Sequence, residues 1–338
     1  MDSTLELESI YGEGSTFSFK LKQKVSDKTP IGDFEKARAT AAVDVKVFHE
    51  DFTAPDASIL VVDDVDLNLK VFKGLLKRSG MKITTADSGK KAIELVRNNR
   101  YDVIFMDHQM PEMDGIETLE KLLKDPDALI DDIPVIALTA NAIAGARDMY
   151  LQKGFSDYLT KPVDGWALLG ILHKWLPQEK IQEISEAKEP VDDQDDDDDD
   201  VFEFLPVEAD ADMDTENNKK ECLDRLKALG LDTDAALVYA GNSEDFYFEL
   251  LNDFVNDFDD RSAALNNLLS AQNWKDYEVR VHALKSISKT IGAVALSEEA
   301  KTLESAAKDD DMFLLESGHP GLIKHYASLC SAISQALE

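Results

Sequence analysis

The chain has 338 residues, 43% of them hydrophobic, which is enough for two or three domains with packed cores of their own. Its formal net charge of −32 argues against nucleic-acid binding by the chain as a whole, because phosphates would be repelled. Two cysteines, Cys222 and Cys330, stand in no paired spacing, and neither a signal peptide nor a bilayer-length apolar stretch is present. A reduced, cytoplasmic chain without membrane contact is therefore expected, with any anchor of a parent protein lying outside it.

In chain order, residues 1–23 contain "LELESIYGEGSTFSFKL", whose apolar–polar alternation around Gly12 and Gly14 predicts a hairpin too small to be stable alone. Residues 24–56 are polar and mixed, and are expected to be a linker. Residues 57–177 repeat a two-part pattern. The segments "ILVVDD", "KITTAD", "YDVIFMD", "IPVIALTA" and "DYLTKP" predict strands. The segments "NLKVFKGLLKRSG", "GKKAIELVRNN", "GIETLEKLLKD", residues 143–153 and "GWALLGILHKWL" predict the helices between and after them. Strict alternation implies a parallel sheet covered on both faces. Residues 178–220 turn acidic, with the run "DDQDDDDDD", whose self-repulsion predicts an extended, solvated linker. Residues 221–338 are helical throughout and predict an antiparallel four-helix bundle. One amphipathic stripe is expected over 244–270, capped by Asn242 or Ser243. A helix is expected over 275–291, another with Ser297 as N-cap, and a last one with Pro320 in its first turn.

In a doubly wound parallel sheet the chemistry sits at the C-terminal strand ends. The predicted strands deliver Asp63 and Asp64, then Asp107, Thr139 and Lys161 to those ends. Three carboxylates in one crevice repel each other unless a cation joins them, and Mg2+ suits an all-oxygen site that leaves room for phosphate oxygens. A lysine and a hydroxyl can hold the remaining phosphoryl oxygens, and one carboxylate can be the nucleophile.

The pieces "VVDD", "MDHQMPEMDG", "ALTANA" and "DYLTKP" closely resemble the receiver domain of two-component signalling. That resemblance implies a flavodoxin-like doubly wound (βα)5 fold. It implies that Asp107 accepts the phosphoryl group and that Asp63 and Asp64 organise Mg2+, with the backbone carbonyl of Gln109 as a further ligand. It also implies that Thr139 and Lys161 contact the phosphoryl group, that Lys161-Pro162 is a cis peptide, and that the rotamer of Tyr158 follows Thr139. Val65 stands where many relatives carry a polar residue. No DNA-binding helix pair follows this region, so transcription is not the expected output.

The stretch "VRVHALKSISKTIGA" places His282 in a helix. Tyr277, Val281, Leu284, Ile287 and Ile291 follow helical spacing and are expected to face the core. Glu278, His282, Lys285, Ser286 and Lys289 share the opposite face, so His282 is expected to be exposed. Lysine and serine stand where a metal site would need ligands. The segment "HALKSISKTIGA", within a helical region from about 225 to 337, resembles a histidine-containing phosphotransfer (HPt) domain. This implies that His282 is phosphorylated and that Lys285 supports the phosphate, with Ser286 where relatives often carry glycine. His49, His173, His319 and His325 lack the neighbouring basic pattern, and His108, beside Asp107, is expected to point away from the pocket.

The N-terminal hairpin resembles the closing hairpin of a histidine-kinase ATP-binding domain. The nucleotide-binding residues of such a domain are missing, so no autonomous ATP-dependent kinase activity is expected. Together these resemblances imply the C-terminal part of a hybrid sensor kinase. Its partners would be an upstream sensor histidine kinase and a downstream response regulator receiver, with an intramolecular receiver–HPt contact reached across the acidic linker. An aspartyl-phosphate phosphatase, or a docking scaffold in which His282 is idle, are the alternatives.

Overall fold

The computed structural model describes residues 5–10, 14–19, 52–140, 146–183 and 213–337. By its internal contacts the chain divides into residues 1–46 and 47–338. In the first unit, β1 (Leu5–Ile10) and β2 (Gly14–Phe19) pair antiparallel, with Leu5 opposite Phe19 and Ile10 opposite Gly14. The expected hairpin is present.

In the second unit β4 (Ser58–Val62), β5 (Lys82–Ala86), β6 (Val103–Asp107), β7 (Val135–Thr139) and β8 (Asp157–Thr160) form one parallel sheet of order β5-β4-β6-β7-β8. A two-residue strand, β3 (Phe52–Thr53), precedes them. The central strands are apolar except at Ser58, Asp107 and Thr139, which stand at strand ends, and the side-chain period of two sends alternate residues to opposite faces. Ile59, Val61, Val103, Phe105, Ile136 and Leu138 join one core, with α1 (Asp66–Leu75) and α5 (Gly165–Trp175). Leu60, Val62, Ile104, Met106, Val135 and Ala137 join the other, with α2 (Gly89–Asn98), α3 (Gly115–Lys124) and α4 (Ala146–Gln152). Helices thus cover both faces, as the alternation predicts.

Both expected linkers are shorter than the sequence suggests. Phe52 and Thr53 pair with β9 (Gln182–Glu183), and Lys180 Nζ reaches Asp102 at 2.7 and 2.8 Å, so these residues belong to the sheet domain. On the far side of the acidic run, which lies outside the described residues, α6 (Met213–Ala228) begins before residue 221.

The C-terminal region continues with α7 (Thr233–Tyr239), α8 (Glu244–Asn256), α9 (Phe258–Ser270), α10 (Trp274–Thr290), α11 (Val294–Lys308) and α12 (Met312–Leu337). The expected stripe over 244–270 is two helices parted at Asp257, and Ser243 rather than Asn242 caps the first, accepting from Phe246 N at 3.3 Å. Helices α9 to α12 pack in sequence, with α8 against α12, as in a four-helix bundle. Two helix starts depart from expectation. Ser297 is not an N-cap: Gly292, at φ +83°, turns the chain so sharply that α11 starts at Val294, and the Ser297 hydroxyl donates to the Lys285 carbonyl at 3.0 Å. Pro320 lies inside α12, because Asp311 accepts from Leu314 N at 3.0 Å and starts the helix two turns earlier.

Candidate functional site

The sheet register aligns the strand ends, with Val62 beside Ala86, Asp107 beside Leu138 and Thr139 beside Thr160. Asp63, Asp107, Thr139 and Lys161 consequently meet at the C-terminal edge, and all four are buried. Lys161 Nζ bridges Asp63 Oδ2 at 2.6 Å and Asp107 Oδ2 at 2.7 Å. Asp63 Oδ1 accepts from Val65 N and Asn68 Nδ2, each at 3.0 Å, so a backbone amide fixes this carboxylate although Val65 has no polar side chain. Asp63, Asp64 and Asp107 offer oxygens that all lie within 4.8 Å of one another. Asp64 Oδ2 is buried without a hydrogen-bond partner. Burial, with the Asp63 charge adding to it, pushes the Asp64 carboxyl up to about 6. Burial also pushes Asp107 above the usual carboxylate range, against the pull of the Lys161 ammonium.

Gly115 lets α3 close on this pocket. A Cβ there would stand 2.1 Å from the Asp107 carbonyl oxygen, and Gly115 N donates to the His108 carbonyl at 2.9 Å. The glycine of "MDG" is therefore required by close approach. Lys161-Pro162 is a cis peptide.

Helix α10 lies across the pocket. Glu278 accepts from Gln109 Nε2 at 3.2 Å, and Thr290 lines a small cavity with Asp63, Asn68 and Lys161. Glu278, His282, Ser286 and Thr290 are spaced four residues apart and so share one helix face. That face is turned to the pocket, and the Lys161 charge acts on the His282 imidazole. His282 is therefore not exposed as expected from its helix alone; it is 6% exposed, on the face that also carries the Glu278–Gln109 contact to the sheet domain. The expected core stripe of Tyr277, Val281, Leu284, Ile287 and Ile291 is buried throughout, so His282 lies outside the bundle core.

A family model for the response regulator receiver domain matches residues 59–173, and one for the Hpt domain matches residues 249–336. The polar-differentiation response regulator DivK of Brucella anthropi is 42% identical over 106 residues, covering 31% of this chain and 85% of DivK. The chain belongs to the response regulator receiver family. The chain is also 38% identical over 120 residues to the signal transduction histidine-protein kinase BarA of Escherichia coli K12, covering 36% of this chain. The aerobic respiration control sensor protein ArcB of the same organism is 28% identical over 184 residues, covering 54% of this chain. The chain spans only 13% of the length of BarA and 22% of that of ArcB.

The Hpt domain holds its histidine with a residue that sequence reasoning missed. Glu304, buried on α11, lies 2.9 Å from His282 Nδ1 through Oε1, and accepts from Lys308 at 2.6 Å and from Lys285 at 2.5 Å. Its donors hold Glu304 well below the usual carboxylate range, against the burial that opposes them. A carboxylate only accepts, so Nδ1 carries the proton and Nε2 keeps its lone pair. Burial lowers the pKa of His282 despite Glu304, which keeps the imidazole neutral near pH 7. The polar run "SEEAKTLESAAK" hid Glu304, because only the pairing of α10 with α11 brings position 304 to position 282. Lys285, expected to be held out for a phosphate, is tied to Glu304, with its Nζ 3.3 Å from His282 Nδ1.

Tyr150 was also missed. Its hydroxyl lies 2.8 Å from His108 Nδ1 and within hydrogen-bond reach of Thr139, and Tyr158 stacks on its ring at 6.4 Å. Of the other histidines, His319 is buried between Tyr277 and Asn266, His325 faces Glu299, and His173 packs on Phe52. His49 lies outside the described residues.

Proposed function

We propose that this chain is a phosphorelay module in which Asp107 takes a phosphoryl group from the phosphohistidine of an upstream sensor kinase and passes it to His282. A separate response regulator receiver then accepts it. The observation that carries this reading is the placement of His282 on the α10 face that lies between the Glu278–Gln109 contact and the Thr290–Asp63–Lys161 cavity.

In the first step the donor N–P bond breaks and an O–P bond forms on Asp107. In the second, the lone pair of His282 Nε2 attacks, the Asp107 O–P bond breaks and an N–P bond forms. The positive charge that develops on the ring falls on Nδ1–H, where Glu304 accepts from it. Lys161 and Thr139 stand where they can hold phosphoryl oxygens. Asp63, Asp64 and Asp107, with the Gln109 carbonyl, would hold Mg2+, whose charge neutralises the phosphoryl oxygens. The orphaned Asp64 Oδ2 fits that role. Tyr158, stacked on Tyr150, is the candidate switch aromatic.

The N-terminal hairpin fits the end of a kinase ATP-binding domain, making the chain the C-terminal part of a hybrid kinase. Among the described residues no helix is long and apolar enough to cross a membrane, in keeping with a cytoplasmic module. The phosphatase alternative is disfavoured because the first-strand acids are adjacent and the candidate nucleophile is on β6. The scaffold alternative gives no reason for a buried carboxylate to fix the His282 tautomer. The test is His282→Gln in the full chain with labelled phosphoryl donor: label should load on Asp107 as a base-labile acyl phosphate and go no further. Onward transfer at the wild-type rate would overturn the role of His282.

A further inference from the structure

Helix α10 carries a hydroxyl that the fold leaves unused. Ser286 is 4% exposed, and its Oγ is buried without a hydrogen-bond partner among the described residues. A buried orphan donor weakens a fold, so its presence calls for a reason. A hydroxyl inside a helix can ordinarily donate to the carbonyl four residues back. Thr290 does so to the Ser286 carbonyl at 3.1 Å, and Thr302 and Ser317 do the same in α11 and α12. Ser286 leaves the His282 carbonyl alone.

Its place on the helix says what it faces. Ser286 stands one turn beyond His282 and one turn before Thr290, on the α10 face turned to the receiver pocket. Helical side chains lean toward the N-terminus, so Ser286 leans toward the His282 turn. The neighbouring cation is committed elsewhere. Lys285 Nζ is bound to Glu304 at 2.5 Å and lies beside Nδ1 of His282, the nitrogen that does not attack.

We propose that Ser286 is a catalytic residue of the transfer step: its hydroxyl donates to an oxygen of the phosphoryl group as that group passes from Asp107 to His282. The proposal rests on the relay reading. On Asp107 the phosphoryl oxygens are served from the receiver side, by Lys161 and Thr139. As phosphorus approaches Nε2 those oxygens approach α10, where a donor already in place holds their charge. The Nε2 lone pair forms the N–P bond, the O–P electrons return to the Asp107 carboxylate, and the Ser286 proton stays on Oγ. Because Ser286 has no bond in the resting state, none must break before it acts.

The test uses the full chain with labelled phosphoryl on Asp107, and follows the appearance of acid-labile label on His282 by rapid quench. Ser286→Ala and Ser286→Gly should each slow that step by roughly 10- to 100-fold, the scale of one hydrogen bond to a charged group. Ser286→Cys keeps the shape with a weaker donor and should fall between them and the wild type. Ser286→Ala should leave the urea midpoint unchanged or raise it, since it removes an unpaired donor. Ser288→Ala is the control. Ser288 Oγ is likewise buried and unpartnered, but two positions on it lies off the pocket face, and transfer should match the wild type. Two rival roles give other results. A serine that merely crowds the site makes Ser286→Gly faster than the wild type. A serine that merely supports the helix makes Ser286→Ala lower the urea midpoint, or makes Ser288→Ala slow transfer as much. Either result overturns the proposal, as does wild-type transfer in Ser286→Ala, which leaves the relay reading standing. A wild type that never delivers label to His282 removes the relay reading and this role with it.

Discussion

Glu304→Gln isolates the contribution of the buried carboxylate that holds His282, the residue proposed to relay the phosphoryl group. Glu304 serves three donors, His282 Nδ1 at 2.9 Å, Lys308 at 2.6 Å and Lys285 at 2.5 Å, and its side chain is 5% exposed. Glutamine keeps the shape but offers one acceptor oxygen, and its amide N–H groups face lysine ammoniums. For the imidazole, a hydrogen bond to a charged partner (about 1.5–3 kcal/mol) becomes a neutral one (about 0.5–1.5 kcal/mol). The difference, about 1–1.5 kcal/mol, bears on the transition state, because positive charge reaches Nδ1 only as Nε2 bonds to phosphorus. Transfer from Asp107 to His282 should therefore slow roughly tenfold. The stability cost should be smaller than for a fully buried pair. The Lys308 side chain is 47% exposed and can turn toward Glu278, 3.6 Å away, while the Lys285 side chain is 17% exposed. Rapid-quench measurement of the two phosphoproteins across a pH series gives the result. Besides the slower rate, the acidic limb of the profile should move to lower pH, because the carboxylate that favours the imidazolium is gone. A rate and profile identical to wild type would refute the assignment.

Three further predictions follow from the same geometry. His282 and Glu304 both have lowered folded pKa values, so the stability they confer is present above their unfolded values and is lost as pH falls. In urea titrations the wild type should thus lose stability relative to His282→Gln as pH drops below about 6.5, the unfolded histidine value; a constant difference would contradict the buried neutral imidazole. Asp64 is raised to about 6, so its contribution runs the other way: it is full below 3.8 and lost as pH rises through about 6, where its unpaired charge appears. Millimolar Mg2+ should therefore raise the melting midpoint more at pH above that value than below it. Asp64→Asn should abolish most of the gain, and an equal gain at both pH values would refute the site. Gly115→Ala drives a methyl group toward the Asp107 carbonyl, which as backbone cannot swing aside. The variant should lose about 2–3 kcal/mol of stability and load phosphate on Asp107 more slowly, measured by urea unfolding and acyl-phosphate yield.

The receiver pocket was legible in the sequence because each of its residues terminates a predicted strand. Strand ends in a parallel sheet converge, so one-dimensional order sufficed for Asp63, Asp107, Thr139 and Lys161. The Hpt site was legible only in part. The inward stripe of α10 follows from its own periodicity, but the burial of His282 depends on what covers the other face, which helical periodicity does not report. Glu304 and Tyr150 were hidden for the same reason: each reaches its partner through packing between elements. The two misplaced helix starts, at Ser297 and Pro320, came from giving a residue its commonest position while nearer signals, Gly292 and Asp311, set the boundary.

The most direct test of the central claim is single-turnover transfer in the full chain, followed by acid and base stability of the labelled protein. The account predicts that base-labile label on Asp107 appears first and acid-labile label on His282 second, with a rate for the second step that does not change on dilution. Transfer that never reaches His282 would contradict the relay itself. A rate that falls in proportion to protein concentration would contradict the docking of His282 over the pocket of its own chain.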